Sequence, residues 1–263
     1  MTDLIEVLYI GDIIGSPGRV AVKRVLPGII TDYGIGLVIA NGENAAGGFG
    51  ITPSIADELF ELEIDVITSG NHIWDKKEII EYIDGNHSLL RPANYPNGVP
   101  GSGHCVFESP SGVRIGVLNL CGRVFMDNID CPFKVGEKII SSLGKEVDII
   151  IVDMHAETTS EKAAMAWFLD GRVSAIIGSH THVQTADERL LAKGTAFISD
   201  AGMTGSMDSV IGMKKEIALE RFLTQISKKF EVAKKDLEFQ GVIISIDKKN
   251  GKAVSIKRIK IPV

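Results

Sequence analysis

Residues 175–182 read Ala175-Ile-Ile-Gly-Ser-His180-Thr-His182, a short apolar run that ends in two histidines. The run predicts a buried strand, and the polar residues mark its end. Because alternate side chains share one face of an extended strand, we expect both imidazoles to point the same way from its carboxyl end. Catalytic loops of α/β proteins gather at that end, and imidazole is a common metal ligand. Two solvated histidines on a surface loop are the alternative until other ligand residues are found.

The same order, an apolar run followed by polar residues, recurs along the chain. Runs at 5–10, 37–40, 65–68 and 147–152 each precede carboxylate, amide or imidazole side chains. The polar residues at these ends are Asp12, Glu43, Asn44, Asn71, His72, His155, His180 and His182. This mixture suits manganese, iron or zinc better than calcium or magnesium. The number of candidate ligands indicates two ions about 3.5 to 4 Å apart that share a carboxylate.

The runs alternate with helical patterns and with hairpin signals. Hairpins are predicted between Cys105–Phe107 and Val113–Leu118 and between Gly241–Ile246 and Ala253–Ile259, so the sheets should be mixed. We therefore expect an α/β fold, a four-layer α/β/β/α sandwich of two mixed sheets, with a single three-layer mixed sheet as the alternative. Helices are expected from Pro53, from Lys76 to Tyr82 and from Glu216 to Ile226.

Composition limits the class of protein. The 263 residues are 44% apolar and contain no linker or repeat, which predicts one domain over residues 1–263. A net charge of −6 argues against a protein that grips long nucleic acid, whereas a small anionic substrate fits. The sequence shows neither a signal peptide nor an apolar run of about twenty residues, so we expect a cytoplasmic protein without a membrane partner. Three cysteines without a CxxC pair are typical of free thiols.

The polar blocks resemble those of a known superfamily. The blocks are Gly11-Asp12, Asn41-Gly-Glu43-Asn44, Gly70-Asn71-His72, His155 and Gly178-Ser-His180-Thr-His182. They resemble, in this order, the five blocks of the calcineurin-like metallophosphoesterases. The longer stretches 11–19, 41–48, 70–75 and 202–205 resemble the YmdB-like 2′,3′-cyclic nucleotide phosphodiesterases, over essentially the whole chain. The resemblance implies the calcineurin-like metallophosphoesterase fold.

The chain departs from the general superfamily at two positions. Ile14 stands where the first histidine would fall, and Glu43 stands where the bridging carboxylate is an aspartate. The resemblance implies that Asp12, Glu43, Asn44 and His182 hold one ion, with Asn44 in place of the missing histidine. It implies that Glu43, Asn71, His155 and His180 hold the other, so that Glu43 bridges. His72 is then an uncoordinated imidazole that protonates the leaving oxygen or stabilises phosphoryl charge.

The implied function is a dinuclear metal-dependent phosphodiesterase that hydrolyses 2′,3′-cyclic nucleotides such as 2′,3′-cyclic AMP. The implied reaction is an attack on phosphorus by a hydroxide that forms from water acidified by two iron or manganese ions, with zinc as an alternative metal. The implied partner is a small phosphodiester, and the sequence leaves open whether the chain forms a homo-oligomer. Two other functions remain: a phosphomonoesterase or phosphoprotein phosphatase with the same site, and a regulatory metal- and nucleotide-binding protein with little turnover.

Several segments admit a structural or a functional interpretation. Gly11, Gly15 and Gly18 could form a dinucleotide-binding turn, although this leaves the later histidines without a role. Trp74 is expected to pack in the core rather than on a substrate. Asp75 is expected to cap the helix from Lys76 rather than to orient a histidine. The segment Met203–Gly212 is either a substrate-side loop or an ordinary connection, and the resemblance favours the loop.

Overall fold

A computed structural model describes residues 3–144 and 146–263 as alternating strands and helices. The strands are β1 (Leu4–Ile10), β2 (Asp12–Ile13), β3 (Ile35–Asn41), β4 (Val66–Thr68), β5 (His104–Glu108), β6 (Arg114–Cys121), β7 (Ile149–His155), β8 (Ala175–Ser179), β9 (Arg189–Leu190), β10 (Ala196–Ile198), β11 (Met203–Ser206), β12 (Leu237–Asp247) and β13 (Ala253–Pro262). The helices are α1 (Gly15–Tyr33), α2 (Pro53–Glu61), α3 (Ile79–Gly85), α4 (Pro132–Leu143), α5 (Thr159–Leu169) and α6 (Lys215–Thr224).

The strands form two mixed sheets. The first has the order β2-β11-β12-β1-β3-β4, and β13 pairs with β12. The second has the order β5-β6-β7-β8-β10-β9. In each sheet a parallel core, β1-β3-β4 or β6-β7-β8-β10, is extended by antiparallel strands. Both predicted hairpins, β5-β6 and β12-β13, are confirmed.

The two sheets pack face to face, and helices cover their outer faces. Strand β1 shows the alternation, because Val7 contributes to the apolar core between the sheets while Leu8 packs under the helices. Helices α1 to α3 cover the first sheet, and α4 and α5 cover the second. The expected four-layer α/β/β/α sandwich is therefore confirmed, and the single three-layer sheet is wrong. The central strands β3 and β7 are buried on both faces of their sheets, which explains their nearly continuous apolar runs.

Two helix boundaries differ from the expectation. Helix α2 begins as predicted, with Pro53 in the first turn and the Thr52 side chain accepting a hydrogen bond from the Ile55 amide. Helix α3 begins at Ile79 rather than at Lys76, because residues 71–78 form a series of turns and bends. Helix α6 spans Lys215–Thr224 and so ends two residues before the predicted Ile226.

The fold brings the predicted site residues to one edge of the sandwich. Parallel strands β3 and β4 of one sheet and β7 and β8 of the other all end at this edge. In the described ranges 3–144 and 146–263, no helix has both the length and the apolar character needed to cross a membrane. The organisation of residues 1–263 as one domain stays a prediction.

Candidate metal centre

Glu43, His155 and His180 form the first of two groups of ligand-type side chains, called here the inner group. Glu43 Oε1, His180 Nδ1 and the Asn71 side-chain oxygen lie 3.1, 3.0 and 3.1 Å from His155 Nε2. One imidazole nitrogen carries at most one proton, so it cannot satisfy all three neighbours. Ligands held about 2.1 Å from one ion lie about 3.0 to 3.4 Å apart, so a metal ion suits this arrangement.

Gly70 provides the space beside the inner group. A Cβ atom at this position would lie 2.2 Å from His155 Nε2 and 2.3 Å from Glu43 Oε2. Any other residue would therefore push a methyl group into the ligand atoms themselves. The glycine that precedes Asn71 keeps the approach between strands β4 and β7 open.

The second group, called here the outer group, consists of Asp12, Glu43 and His182, so the two groups share Glu43. His182 Nε2 lies 3.7 Å from Asp12 Oδ1. Asp12 is fully buried, yet its Oδ1 accepts no hydrogen bond within the part of the chain that the structure describes. An unsatisfied buried carboxylate oxygen is costly, and a bound cation would remove that cost.

The orientation of Asn44 differs from that of a ligand. Its side-chain nitrogen lies 3.1 Å from Glu43 Oε1 and 3.2 Å from His182 Nε2. The amide thus donates toward two acceptors, whereas a metal ligand would present Oδ1. Exchanging the two amide atoms by a half-turn would present that oxygen. Coordination by Asn44 stays a prediction.

The charges of the two groups influence each other strongly. Burial raises the pKa of Asp12 to about 7, although His182 and His155 oppose the rise. Burial would also raise the pKa of Glu43, but His155, His72 and His180 lower it to about 2. Burial would lower the pKa of His155, but Glu43, Asp12 and Asp153 raise it to about 9. The buried carboxylates thus hold a positive charge at the position where a metal ion would sit.

A buried polar network orients the inner group from behind. His155 Nδ1 lies 2.9 Å from Ser179 Oγ, and this hydroxyl donates to Asp153 Oδ1 at 2.6 Å. Tyr9 and Thr68 donate to the other oxygen of Asp153, at 2.6 and 2.5 Å. These contacts fix His155 so that Nε2 faces the ligand cluster. Sequence reasoning missed this network, although a charged Asp153 inside an apolar strand was a usable signal.

Two other partners orient the remaining imidazoles. His180 Nε2 lies 3.1 Å from Glu157 Oε2, so Nδ1 is the atom turned to the inner group. His182 Nδ1 lies 3.0 Å from the carbonyl oxygen of Ile211, so Nε2 is turned to the outer group. Sequence reasoning missed Glu157 and Ile211, because neither belongs to a recognised block.

His180 and His182 do not lie in an extended strand. Strand β8 ends at Ser179, and the two histidines have φ angles of 100° and 63°. The expectation that alternation along a strand aligns their rings is therefore wrong. The turn is held by Asp200, which accepts hydrogen bonds from the amide and hydroxyl of Thr181 and is paired with buried Lys162 at 2.9 Å. This turn sends the two rings to different groups.

His72 lies at the edge of the cluster with one nitrogen already engaged. Its Nδ1 lies 2.9 Å from Asp75 Oδ2, and its amide donates to Glu43 Oε2 at 3.3 Å. Asp75 does not cap a helix, because α3 starts only at Ile79. The capping interpretation of Asp75 is thus wrong, and Asp75 orients His72 instead. Trp74 packs edge-to-face on Tyr95 in the core, which confirms its structural interpretation.

The cluster opens into a cavity of 440 Å³ that is lined by both polar and apolar side chains. Its polar lining residues, called here the polar half, are Glu43, Asn44, His72, Glu157, His180, Thr181 and His182. Its apolar lining residues, called here the apolar half, are Phe49, Val210, Ile211, Met213, Ala218, Phe222 and Phe230. In the segment Met203–Gly212, residues 203–206 form β11, which neither interpretation predicted. Val210 and Ile211 line the cavity, as expected of a substrate-side loop.

The glycines of the first loop serve close packing rather than phosphate binding. A Cβ at Gly11 would lie 2.3 Å from the carbonyl oxygen of Gly202, and one at Gly18 would lie 2.4 Å from that of Thr204. Both positions therefore allow β2 and α1 to approach the β11 segment. The dinucleotide-binding interpretation of these glycines is not supported by their packing.

The chain is similar to known proteins over nearly its whole length. The family described as YmdB-like protein matches residues 8–259. The chain belongs to this family. A 2′,3′-cyclic-nucleotide 2′-phosphodiesterase of Bacillus subtilis (strain 168) is 47% identical over 97% of both chains. The predictions of the family and of an enzyme are therefore confirmed.

Two solved structures share the fold of this YmdB-like protein. A hypothetical protein from Thermus thermophilus has a TM-score of 0.92 at 40% identity, covering 98% of this chain and 99% of that one. A novel phosphatase from Mycoplasma pneumoniae has a TM-score of 0.92 at 35% identity, covering 100% and 95%. Both alignments span nearly the full length, so the similarity in fold extends over both sheets.

Proposed function

We propose that this YmdB-like protein is a dinuclear metal-dependent phosphodiesterase that hydrolyses 2′,3′-cyclic nucleotides. The observation that carries the proposal is the pair of ligand groups that share buried Glu43 at the floor of an open cavity. Identity of 47% to the Bacillus subtilis phosphodiesterase supports the same substrate class. The reaction adds the oxygen of water to phosphorus and breaks one ribose P–O bond, leaving a nucleoside monophosphate.

The proposed ligands divide into two sets that meet at Glu43. The inner set is Glu43, Asn71, His155 and His180, and the outer set is Asp12, Glu43, Asn44 and His182. This mixture of nitrogen and oxygen donors fits iron or manganese, and zinc is a further candidate. When bound, two such ions supply a Lewis acid that activates water and neutralises phosphoryl charge.

His72 is the proposed acid for the departing ribose oxygen. Asp75 engages Nδ1 at 2.9 Å, which leaves Nε2 for the cavity. A proton on Nε2 can pass to the oxygen that leaves phosphorus, and a hydrogen bond from the same nitrogen can hold a phosphoryl oxygen beforehand. The Phe49 ring, whose centroid lies 5.2 Å from that of His72, limits the rotation of the imidazole.

The shape of the cavity favours a small substrate over a phosphoprotein. A volume of 440 Å³ is within the range of small-molecule sites, and its apolar half lies directly beside the polar cluster. A phosphomonoesterase or phosphoprotein phosphatase needs no such apolar half. A regulatory protein with little turnover needs no imidazole outside the ligand groups, whereas His72 Nε2 has no hydrogen-bond partner among the described residues.

A substrate panel tests the proposal. Metal-loaded protein should open 2′,3′-cyclic AMP much faster than it releases phosphate from 4-nitrophenyl phosphate or from a phosphopeptide. Phosphate release from the peptide without ring opening would establish the phosphatase instead. Binding of the cyclic nucleotide without any turnover would establish the regulatory protein.

The variant His72→Ala tests the proposed acid. Loss of a general acid should lower kcat about 10²- to 10⁴-fold, while metal content measured by mass spectrometry stays near that of the natural protein. Glu137→Gln is a matched control, because Glu137 pairs with Arg172 on the distant surface. Simultaneous loss of metal in His72→Ala would make His72 a ligand rather than an acid.

A further inference from the structure

The apolar half of the cavity contains side chains whose exposure is unusual for their type. Phe222, on the last turn of α6, is 74% exposed, and Ile211 is 51% exposed, yet both line the cavity. Large apolar side chains that stay in water beside a polar cluster often mark a place where a ligand covers them.

Phe222 differs from the other aromatic residues of the cavity in the contacts of its ring. The Phe49 ring meets His72 edge-on, and the Phe230 ring is covered by the Arg221 guanidinium at 4.9 Å. No ring or cation contact of Phe222 occurs among the residues that the structure describes. Phe222 therefore has a ring face available to a flat ligand.

Ile211 is held in place by the same contact that orients the outer group. Its φ angle of 47° is a left-handed conformation that a β-branched residue rarely adopts. Its carbonyl oxygen lies 3.0 Å from His182 Nδ1, so the unusual backbone aims the carbonyl at the histidine while the side chain lines the cavity. The apolar wall is thus fixed at a set distance from the ligand groups.

We propose that Phe222 and Ile211 form a platform for the nucleobase of the substrate. This inference rests on the proposed function and names the part of the same site that selects the substrate. With the cyclic phosphate at the polar half, the base lies in the apolar half, where the Phe222 ring stacks on its face. Stacking on an aromatic ring accepts every base, because each has a π-face.

The chemistry of the wall determines the expected base preference. Its side chains are Phe49, Val210, Ile211, Met213, Ala218, Phe222 and Phe230, and none of these has a nitrogen or oxygen with which to bind a base edge. Of the polar lining residues outside the two ligand groups, Glu157 contacts His180 and the Thr181 hydroxyl donates to Asp200. The platform therefore distinguishes nucleobases by the area of their ring face and not by the hydrogen-bond donors and acceptors at their edges. All four 2′,3′-cyclic nucleotides are substrates, and the two purines, which have the larger rings, are preferred over the two pyrimidines.

The variant Phe222→Ala tests the platform against the neighbouring Leu223→Ala. Leu223 is 83% exposed on the same helix but does not line the cavity. Phe222→Ala should lower kcat/KM for 2′,3′-cyclic AMP roughly tenfold, mainly through KM, whereas Leu223→Ala should leave it unchanged. Phe222→Trp should keep kcat/KM for 2′,3′-cyclic AMP near that of the natural protein, because the indole also offers a flat face.

A base-free ester separates a failure of the platform from a failure of the proposed function. The methyl riboside of ribose 2′,3′-cyclic phosphate keeps the reacting group but lacks a base. Phe222→Ala should lower the ratio of kcat/KM for 2′,3′-cyclic AMP to that for this ester. Titration calorimetry with adenosine 3′-monophosphate should show the same loss of affinity without any turnover.

Each outcome supports or overturns one of the two proposals. If the natural protein opens 2′,3′-cyclic AMP and Phe222→Ala leaves kcat/KM and affinity unchanged, the platform is wrong and the function stands. If the natural protein opens neither ester, the proposed function is wrong. If Phe222→Ala and Leu223→Ala both lower activity and also dissociate an oligomer in sedimentation analysis, the exposed face of α6 binds a second copy rather than a base.

Discussion

The inner and outer ligand groups share Glu43 but are supported in different ways. His155 of the inner group is fully buried, and its second nitrogen meets a side-chain network that runs through Ser179 to Asp153. His182 of the outer group lies at the cavity, and its second nitrogen meets the backbone carbonyl of Ile211. Side chains between the sheets thus orient one group, while the backbone of a strained loop orients the other. We therefore expect substitutions to weaken the inner group more readily than the outer one.

Replacement of Glu43 should have the largest effect on metal content and on kcat, because both ligand groups contain this residue. Glu43→Gln should lose both metal ions and reduce kcat by about 10³-fold or more, since the proposed reaction depends on the charge of two metal ions. Metal content by mass spectrometry and kcat on 2′,3′-cyclic AMP measure this. Retention of one ion per chain would show that one group is independent of Glu43.

Removal of one hydrogen-bonding group behind His155 should have a smaller effect on metal affinity, and it should weaken the binding of only one of the two ions. Ser179→Ala removes the hydroxyl that lies between His155 Nδ1 and Asp153 Oδ1. Loss of such an outer partner typically lowers metal affinity about 10- to 100-fold, and here only one of two ions should be affected. Competitive metal titration measures the affinity for each of the two ions.

Ser174→Ala is the matched control for Ser179→Ala. Ser174 is a buried serine whose hydroxyl accepts a hydrogen bond from the Ile150 amide, away from the ligands. It should show a similar loss of stability, about 1 to 3 kcal/mol, with both metal affinities intact. Equal metal loss in the two variants would show that general destabilisation, and not the orientation of His155, is responsible.

The inner group should also make the stability of metal-free protein depend on pH. The pKa of His155 is raised to about 9, so its contribution to stability is complete below about pH 6.5 and is lost as pH rises through 9. The raised pKa of Asp12, about 7, acts in the same direction between about pH 4 and 7.

Thermal unfolding of chelator-treated protein between pH 6.5 and 9.5 checks this dependence. The Tm should fall across that window, and the fall should be smaller when metal is bound, because a bound ion requires neutral His155. A Tm that rises with pH in the metal-free protein would contradict the assigned charge of His155.

The smallest effect on metal affinity is expected from a substitution at the outer group, because a backbone carbonyl oxygen, that of Ile211, orients His182. Ile211→Gly keeps the carbonyl that orients His182 and relieves a φ angle of 47°. Both metal affinities should stay within about twofold of those of the natural protein, in contrast to Ser179→Ala. Calorimetric metal titration measures this, and loss of the outer ion would show that the Ile211 side chain itself holds the loop.

Most of the fold was predictable because its signals are local. The apolar runs of β1, β3 and β7 reflect burial of both faces of a sheet, which a central strand must satisfy wherever it packs. Both hairpins were predictable because their paired strands are neighbours in the chain. The start of α3 was not predictable, because the Asp75 carboxylate pairs with His72 rather than with a helix amide.

The candidate ligands were recognisable for a related reason. Parallel strands place their carboxyl ends at one edge of each sheet, so polar residues after several strands must gather there. Asp12, Glu43, His155, His180 and His182 do so, and they form two groups joined at Glu43. The coordination of metal by these residues stays a proposal.

The sequence by itself determined the order of strands and helices and the polar residues at the strand ends, since these follow from burial and chain direction. Only the tertiary structure decided which atom of each histidine faces the cluster. Asp153, Glu157 and Ile211 make that choice, and they come from different strands and loops. A hydrogen bond between distant segments depends on the packing of both sheets, and no local pattern in the chain encodes its direction.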